Sequence, residues 1–266
     1  VTKSILLEPR SGRATPRMAE TPSGMLNSIG LQGPGIDQFI EDDLKWLEKN
    51  QVRTIVSIAG NNAEEFGRIA GKLRKVGENV VGIEVNISCP NVANRGLVFA
   101  CQPESAHEVI SIVRRTIGGS YPIFAKLSPD VTDIVSIAKA VVDAGASGVS
   151  VINTLLGMVI DTQLMKPALA GVTGGLSGPA IRPVAVRAVW QIRQAFPDLP
   201  IIGMGGILSG NDAFEFVLAG ANAFAIGTAN FHDPSSISRI QSELAQILFE
   251  RGFSSLQEAV SFAHRN

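Results

Sequence analysis

The chain has 266 residues, a net charge of −1, 45% hydrophobic residues and 18% charged residues. This composition supplies a sizeable core and excludes a disordered chain; with no basic block it offers nothing to nucleic acid, and no apolar run reaches membrane-spanning length. The two cysteines, Cys89 and Cys101, are too few to hold an iron–sulfur cluster alone and point to a reducing, cytoplasmic setting rather than a disulfide framework.

Nearly continuous apolar runs at residues 1–6, 52–58, 80–87, 122–127, 148–152, 200–204 and 223–226 predict parallel strands buried on both faces. Amphipathic helices separate them. One opens at Asp133, continues through Ile134, Ile137, Ala138 and Val141, and ends at Gly145. Another opens at Asp212, carries Phe214, Val217 and Leu218, and ends at Gly220. An internal echo marks a repeated βα unit. Ala144-Gly145-Ala146 precedes a strand ending at Asn153-Thr154, and Ala219-Gly220-Ala221 precedes one ending at Gly227-Thr228. The alternation predicts an α/β fold, a (β/α)8 TIM barrel forming a single domain over residues 1–266. The count is seven strands where a closed barrel wants eight, and the sequence starts inside a strand without a Met. The first βα unit is therefore expected to be missing, leaving the barrel N-terminally incomplete; a seven-stranded or open sheet is the alternative. Residues 9–35 and 157–179 break the alternation and read as insertions on the catalytic face.

The strongest local motif is Asn86-Ile87-Ser88-Cys89-Pro90-Asn91, where a buried strand emerges into a loop. Cys89 reads either as a structural cysteine in a tight turn or as a base beside two amides. The second motif is Ile202-Gly203-Met204-Gly205-Gly206-Ile207, followed by Gly227-Thr228. Glycines after the last two strands let backbone N–H groups approach a phosphate. A third cluster, Thr173-Gly174-Gly175-Leu176-Ser177-Gly178-Pro179, adds either a further close-approach loop or a flexible connector. Lys3 and Lys126 sit inside apolar strands. Each either snorkels out at the barrel bottom or, beside phosphate loops, stabilises an anionic reduced flavin. Asn27 and Asn153 are further amides that also suit turns. The three histidines are scattered and no acidic cluster has ligand spacing, so no metal site is expected. Residues 92–105, after Cys89, are expected to form a lid.

Together Asn27-Ser28-Ile29-Gly30-Leu31, Asn86-Ile87-Ser88-Cys89-Pro90-Asn91, Lys126-Leu127-Ser128-Pro129, Ile152-Asn153-Thr154-Leu155, residues 173–183 and residues 203–207 resemble the dihydroorotate dehydrogenase family. The match runs from Val1 to the C-terminal helix and is closest to the bacterial, NAD-linked class 1B. Cys89 stands where the membrane-associated class 2 has serine, and the 173–183 run is more like class 1B than the fumarate-linked class 1A. The resemblance implies oxidation of (S)-dihydroorotate to orotate in pyrimidine biosynthesis, with a flavin mononucleotide (FMN) bound to this chain. Cys89 would take the C5 proton while a hydride leaves C6 for flavin N5. Dihydroorotate would be held by Lys3, Asn27, Ile29, Gly30, Leu31, Asn86, Asn91, Asn153 and Thr154, whose amides suit a planar pyrimidine with a carboxylate. FMN would contact Lys3, Ser4, Ser57, Asn86, Lys126, Ile152, Gly178, Gly205, Gly206, Gly227 and Thr228; the class often has Asn at the position of Ser57. In the family a first strand and a glycine-rich loop, absent from this sequence, also contact FMN. The sequence has no Gly-x-Gly-x-x-Gly fingerprint after a strand and no cysteine cluster. The class 1B resemblance implies a partner subunit carrying FAD and a [2Fe–2S] cluster that passes electrons to NAD, with a homodimer of this chain completing a heterotetramer. The alternatives are a class 1A enzyme, a related dihydropyrimidine dehydrogenase, and a non-catalytic barrel that binds a phosphate ligand.

Overall fold

The structure is a computed structural model that describes residues 1–74, 76–88 and 101–265. Cys89, Asn91 and residues 92–100 of the expected lid lie outside the described residues. In chain order the elements begin with β1 (Met18–Thr21), β2 (Gly24–Asn27), α1 (Ile36–Gln38), a π turn (Phe39–Leu44), α2 (Lys45–Lys49), β3 (Thr54–Ile58), α3 (Ala63–Leu73) and β4 (Val80–Asn86). They continue with α4 (Pro103–Ile117), β5 (Ile123–Leu127), α5 (Ile134–Asp143), β6 (Gly148–Val151), β7 (Leu155–Gly157), β8 (Ile160–Asp161), β9 (Lys166–Pro167) and β10 (Gly174–Ser177). The chain then forms α6 (Arg182–Ala195), β11 (Ile201–Met204), α7 (Gly210–Ala219), β12 (Ala223–Ala225), α8 (Ala229–His232), α9 (Ser236–Glu250) and α10 (Leu256–Ala259). No helix among the described residues is long and apolar enough to cross a membrane.

The chain divides into two compact units, Val1–Arg13 with Ile29–Val149, and Ala14–Ser28 with Ser150–Asn266. In the first, β3, β4 and β5 pair in parallel with β4 in the centre. One face of these strands carries Val56, Ile58, Ile83, Val85, Ile123 and Ala125, all fully buried. The helices answer with apolar stripes at helical spacing: Phe66, Ile69, Ala70 and Leu73 on α3, and Ala106, Val109, Ile110 and Val113 on α4. Each large side chain buried this way contributes roughly 1.5–3 kcal/mol. The other strand face is polar and is described with the site.

Residues 1–6 do not form the strand expected of them. They run beside β3 but make a single parallel bridge, Ile5 with Ile58. Thr2 N–H donates to Ile55 O and Ile5 N–H to Ser57 O, so three residues on one side face two on the other. The Thr2 hydroxyl accepts the Ser57 N–H at 3.0 Å, a bond that a regular ladder would give to a backbone carbonyl. The other expected strands form, each shortened at one or both ends.

In the second unit β11 and β12 pair in parallel, with Ile202 opposite Ala223 and Met204 opposite Ala225. The stretches read as insertions contain strands of their own. β1, β2, β10 and β7 make a four-stranded antiparallel sheet in that order, and β8 pairs with β9. The helix expected to open at Asp212 opens three residues earlier. Ser209 is the N-cap, accepting the Asp212 N–H, while Asp212 returns its carboxylate to the Ser209 N–H. Asp212 is thus the third helical residue of a capping box rather than the cap itself.

Candidate active site

Strand register assembles the polar residues of the first unit. Ser57 stands opposite Glu84, and Asn86 opposite Lys126, so these four side chains share one face of β3, β4 and β5 at their carboxyl ends. The flanking 1–6 segment adds Ser4. A continuous hydrogen-bonded chain results. Ser57 donates to Glu84 Oε1 at 3.0 Å, the Ser4 and Ser57 hydroxyls are 2.9 Å apart, and Asn86 Nδ2 donates to Ser4 Oγ at 2.8 Å. Asn86 Oδ1 accepts both the hydroxyl and the N–H of Ser88, at 2.8 and 3.3 Å. Ser57, Glu84, Asn86 and Ser88 are all buried. The Lys126 ammonium is half-buried and has no hydrogen-bond or ion-pair partner among the described residues, whereas Lys3 is exposed. Of the Ile29-Gly30-Leu31 run, Leu31 packs in a small cluster with Leu6 and Ala59, so its side chain belongs to the core. It does so at φ 55°, a left-handed conformation that costs a leucine roughly 1–2 kcal/mol. Gly30 is also buried, and the Ile29 carbonyl accepts the Arg13 N–H.

In the second unit three loop ends converge. Ser177 and Gly178 close β10, Gly205 and Gly206 follow β11, and Gly227 and Thr228 follow β12. The Thr228 hydroxyl donates to Ser177 Oγ at 2.7 Å. A Cβ added to Gly206 would lie 2.7 Å from the Gly178 carbonyl oxygen, so only glycine allows that approach. A Cβ on Gly227 would meet nothing within 4 Å, so this loop borders open space. Among the described residues the N–H groups of Gly205, Gly206, Gly227 and Thr228 donate to no protein acceptor. Four uncommitted donors beside open space suit a phosphate. Arg182 lies close by, but its guanidinium is taken by Asp212 and Glu215.

The amides of this unit gather around Gly175. Asn27 Nδ2 donates to the Gly175 carbonyl at 3.4 Å, and a Cβ on Gly175 would collide with Thr154 Oγ1. Asn153 Oδ1 accepts the Thr154 N–H at 2.8 Å. Ile152 is buried, and its N–H donates to the Met204 carbonyl. The sequence reading missed Glu84 and Ser88. Glu84 had a visible signal, a carboxylate inside the apolar run 80–87 and two residues before Asn86. Among the described residues no three His, Cys, Asp or Glu side chains come together as a metal site.

Parallel strands alternating with helices, with glycine loops after successive strands, define an α/β protein of the class that places its site at the carboxyl ends of the strands. The chain belongs to the dihydroorotate dehydrogenase family, whose model matches residues 1–248. Family membership makes it an oxidoreductase of pyrimidine biosynthesis. It is 52% identical over 260 residues to the catalytic subunit of dihydroorotate dehydrogenase B (NAD+) from Geotalea daltonii, covering 98% of this chain and 84% of that protein. The proteins of the same name from Desulforamulus reducens and Desulforudis audaxviator are 50% and 49% identical, covering 99% and 100% of this chain and 86% and 85% of theirs.

Proposed function

We propose that the chain is the catalytic subunit of an NAD-linked, class 1B dihydroorotate dehydrogenase, a single cytoplasmic domain of the (β/α)-barrel type that carries FMN at the carboxyl ends of its strands. Half the sequence shared with three NAD-linked catalytic subunits supports the class. The observation that carries the cofactor is the set of four uncommitted N–H groups at Gly205, Gly206, Gly227 and Thr228, beside a glycine open to space. They take the phosphate, with Gly178 and Ile152 lining the same cofactor. Lys126, Lys3, Ser4, Ser57 and Asn86 hold the ring and its ribityl chain. FMN, when bound, supplies the hydride acceptor.

Asn27, Asn86, Asn91, Asn153 and Thr154, with Lys3 and the Ile29-Gly30-Leu31 run, hold dihydroorotate, and Cys89 takes its C5 proton. A homodimer of this chain binds an electron-transfer subunit carrying FAD and a [2Fe–2S] cluster, and that subunit delivers electrons to NAD. The test begins with the full-length protein treated with dihydroorotate and then offered NAD or fumarate. Slow reoxidation by NAD, made fast by the partner subunit, is expected; rapid reoxidation by fumarate overturns the class. Cys89→Ser is expected to retain FMN and to slow its reduction at neutral pH, because serine is the weaker acid and the poorer base. Reduction at the wild-type rate removes Cys89 from the mechanism.

A further inference from the structure

We propose that Glu84 is a positioning residue that fixes the amide of Asn86 as a hydrogen-bond donor toward substrate, acting through Ser57 and Ser4. The argument is one of proton count. A carboxylate only accepts, and a serine hydroxyl has one proton to give. Ser57 gives its proton to Glu84 at 3.0 Å, so at its 2.9 Å contact with Ser4 it must accept. Ser4 therefore spends its own proton on Ser57 and accepts from Asn86 Nδ2 at 2.8 Å. At the far end Ser88 fills both acceptor positions of Asn86 Oδ1, through its hydroxyl and its N–H. Every bond in this row points one way, and its direction is set at the two ends, by the Glu84 carboxylate, which only accepts, and by the Ser88 N–H, which only donates. Among the described residues, the only uncommitted polar group of the Asn86 side chain is then the second N–H of its amide. That group suits a carbonyl or carboxylate oxygen and repels a ligand N–H.

Burial makes the device effective. Glu84 is 3% exposed, Ser57 1% and Asn86 8%, so solvent does little to compensate a reversed bond. Nor does any cation among the described residues pair with Glu84, so its hydrogen bond to Ser57 is the contact that gives the carboxylate a structural purpose. A glutamine at this position can donate as well as accept. It would let Ser57 and Ser4 reverse, so that Ser4 no longer accepts from Asn86 Nδ2 and the amide loses that anchor, without changing the volume of the side chain.

This inference rests on the proposed dihydroorotate reading, and the experiment separates the two. Orotate is titrated into the full-length FMN-loaded protein and followed by the flavin spectrum, in wild type, Glu84→Gln, Ser57→Ala and the double variant. An orotate response in the wild type secures the underlying reading; its absence overturns that reading whatever the variants do. Glu84→Gln is expected to keep its FMN, and both single variants their far-ultraviolet circular dichroism. Each should weaken orotate and raise KM for dihydroorotate by about three- to tenfold, the worth of one hydrogen bond, with a smaller change in kcat. The double variant should lose no more than either single one, because both cut the same row. Additive losses overturn the relay. So does wild-type orotate affinity in Glu84→Gln accompanied by a shifted flavin midpoint potential, which would make Glu84 an electrostatic group rather than a positioning one.

Discussion

The helices α5 and α7 end in the same turn, one in each unit, and the two copies differ mainly in cover. After α5, Gly145 N–H bonds to Val142 O and Ala146 N–H to Val141 O; after α7, Gly220 N–H bonds to Val217 O and Ala221 N–H to Phe216 O. Both glycines are left-handed, at φ 98° and 119°. An arginine from the preceding long helix seals each turn. Arg114 donates to Gly145 O at 2.9 Å and to Ser147 Oγ at 2.9 Å, and Ser147 Oγ accepts the Ile123 N–H that opens β5. Arg193 donates twice to Gly220 O, at 3.0 and 2.7 Å, and to Asn222 Oδ1 at 2.7 Å, and Asn222 Oδ1 accepts the Ile201 N–H that opens β11. Each arginine also binds carbonyls at the end of its own helix, Gly118 and Tyr121 for Arg114, Phe196 and Pro197 for Arg193. Arg193 is buried and Arg114 half-buried, and desolvation lowers both guanidinium pKa values. The echo in the sequence is therefore a strand-start clasp. It joins helix end, turn and strand on the face away from the strand ends that carry the candidate chemistry.

Removing the clasps separates burial from bond count. Arg193→Ala removes both guanidinium donors to the Gly220 carbonyl and one of the two donors to Asn222 Oδ1, in a dry site, and is expected to cost about 3 kcal/mol. Arg114→Ala breaks a similar number of bonds where water can replace the donor and is expected to cost about 1–2 kcal/mol. Urea midpoints at constant slope measure both. Equal losses would mean that the bonds, not their cover, set the difference.

The glycines give a second, smaller contrast. A Cβ on Gly220 would lie 2.5 Å from Arg193 Cγ, whereas on Gly145 it would lie 3.1 Å from Arg114 Cγ. Both alanines bear the left-handed backbone cost of about 1–2 kcal/mol. Gly220→Ala must also displace a buried arginine, so it is expected to exceed Gly145→Ala by about 1 kcal/mol. In the Arg193→Ala background the Cγ contact is gone but the Cβ of residue 193, 2.7 Å away, remains, so the excess should shrink without vanishing, which a double-mutant cycle reads directly.

These clasps show where the sequence is legible. Six parallel strands can be read because each lies in a short apolar run, including β12, whose residues are only partly covered. The run at residues 1–6 is half polar, with Thr2, Lys3 and Ser4, and the Thr2 hydroxyl takes the Ser57 N–H that a regular ladder would give to a backbone carbonyl. β10 cannot be read at all. Its Gly174-Gly175 start has poor strand propensity, and its pairing with β2 and β7 holds it in place. The amides and glycine loops of the site show as local motifs because their residues adjoin in sequence. The Glu84–Ser57–Ser4–Asn86 row does not, since register between strands assembles it. The start of α7 was misplaced by three residues because Ser209 and Asp212 are both cap-forming residues, and only the geometry distinguishes the cap from its reciprocal partner.

The N-terminal ends of the same two helices supply the finest test. At α5 the cap is one residue: Asp133 Oδ1 accepts the N–H groups of Val135 and Ser136, at 3.0 and 3.2 Å. At α7 the work is shared. Ser209 Oγ accepts only the Asp212 N–H, at 3.2 Å, while Asp212 Oδ2 covers the N–H groups of Leu208 and Ser209 at 2.9 and 3.0 Å. Asp212 is itself anchored by Arg182. Asp133→Ala therefore strips two donors and removes a negative charge from a helix start, and is expected to cost about 1 kcal/mol. Ser209→Ala strips one donor and leaves the other half of the box in place, so about half that loss is expected. Hydrogen exchange at Val135, Ser136 and Asp212 resolves the difference locally, because each variant should speed only the amides it uncovers. Faster exchange at Asp212 than at Val135 and Ser136 would mean that the Asp212 side of the box does not hold without its serine.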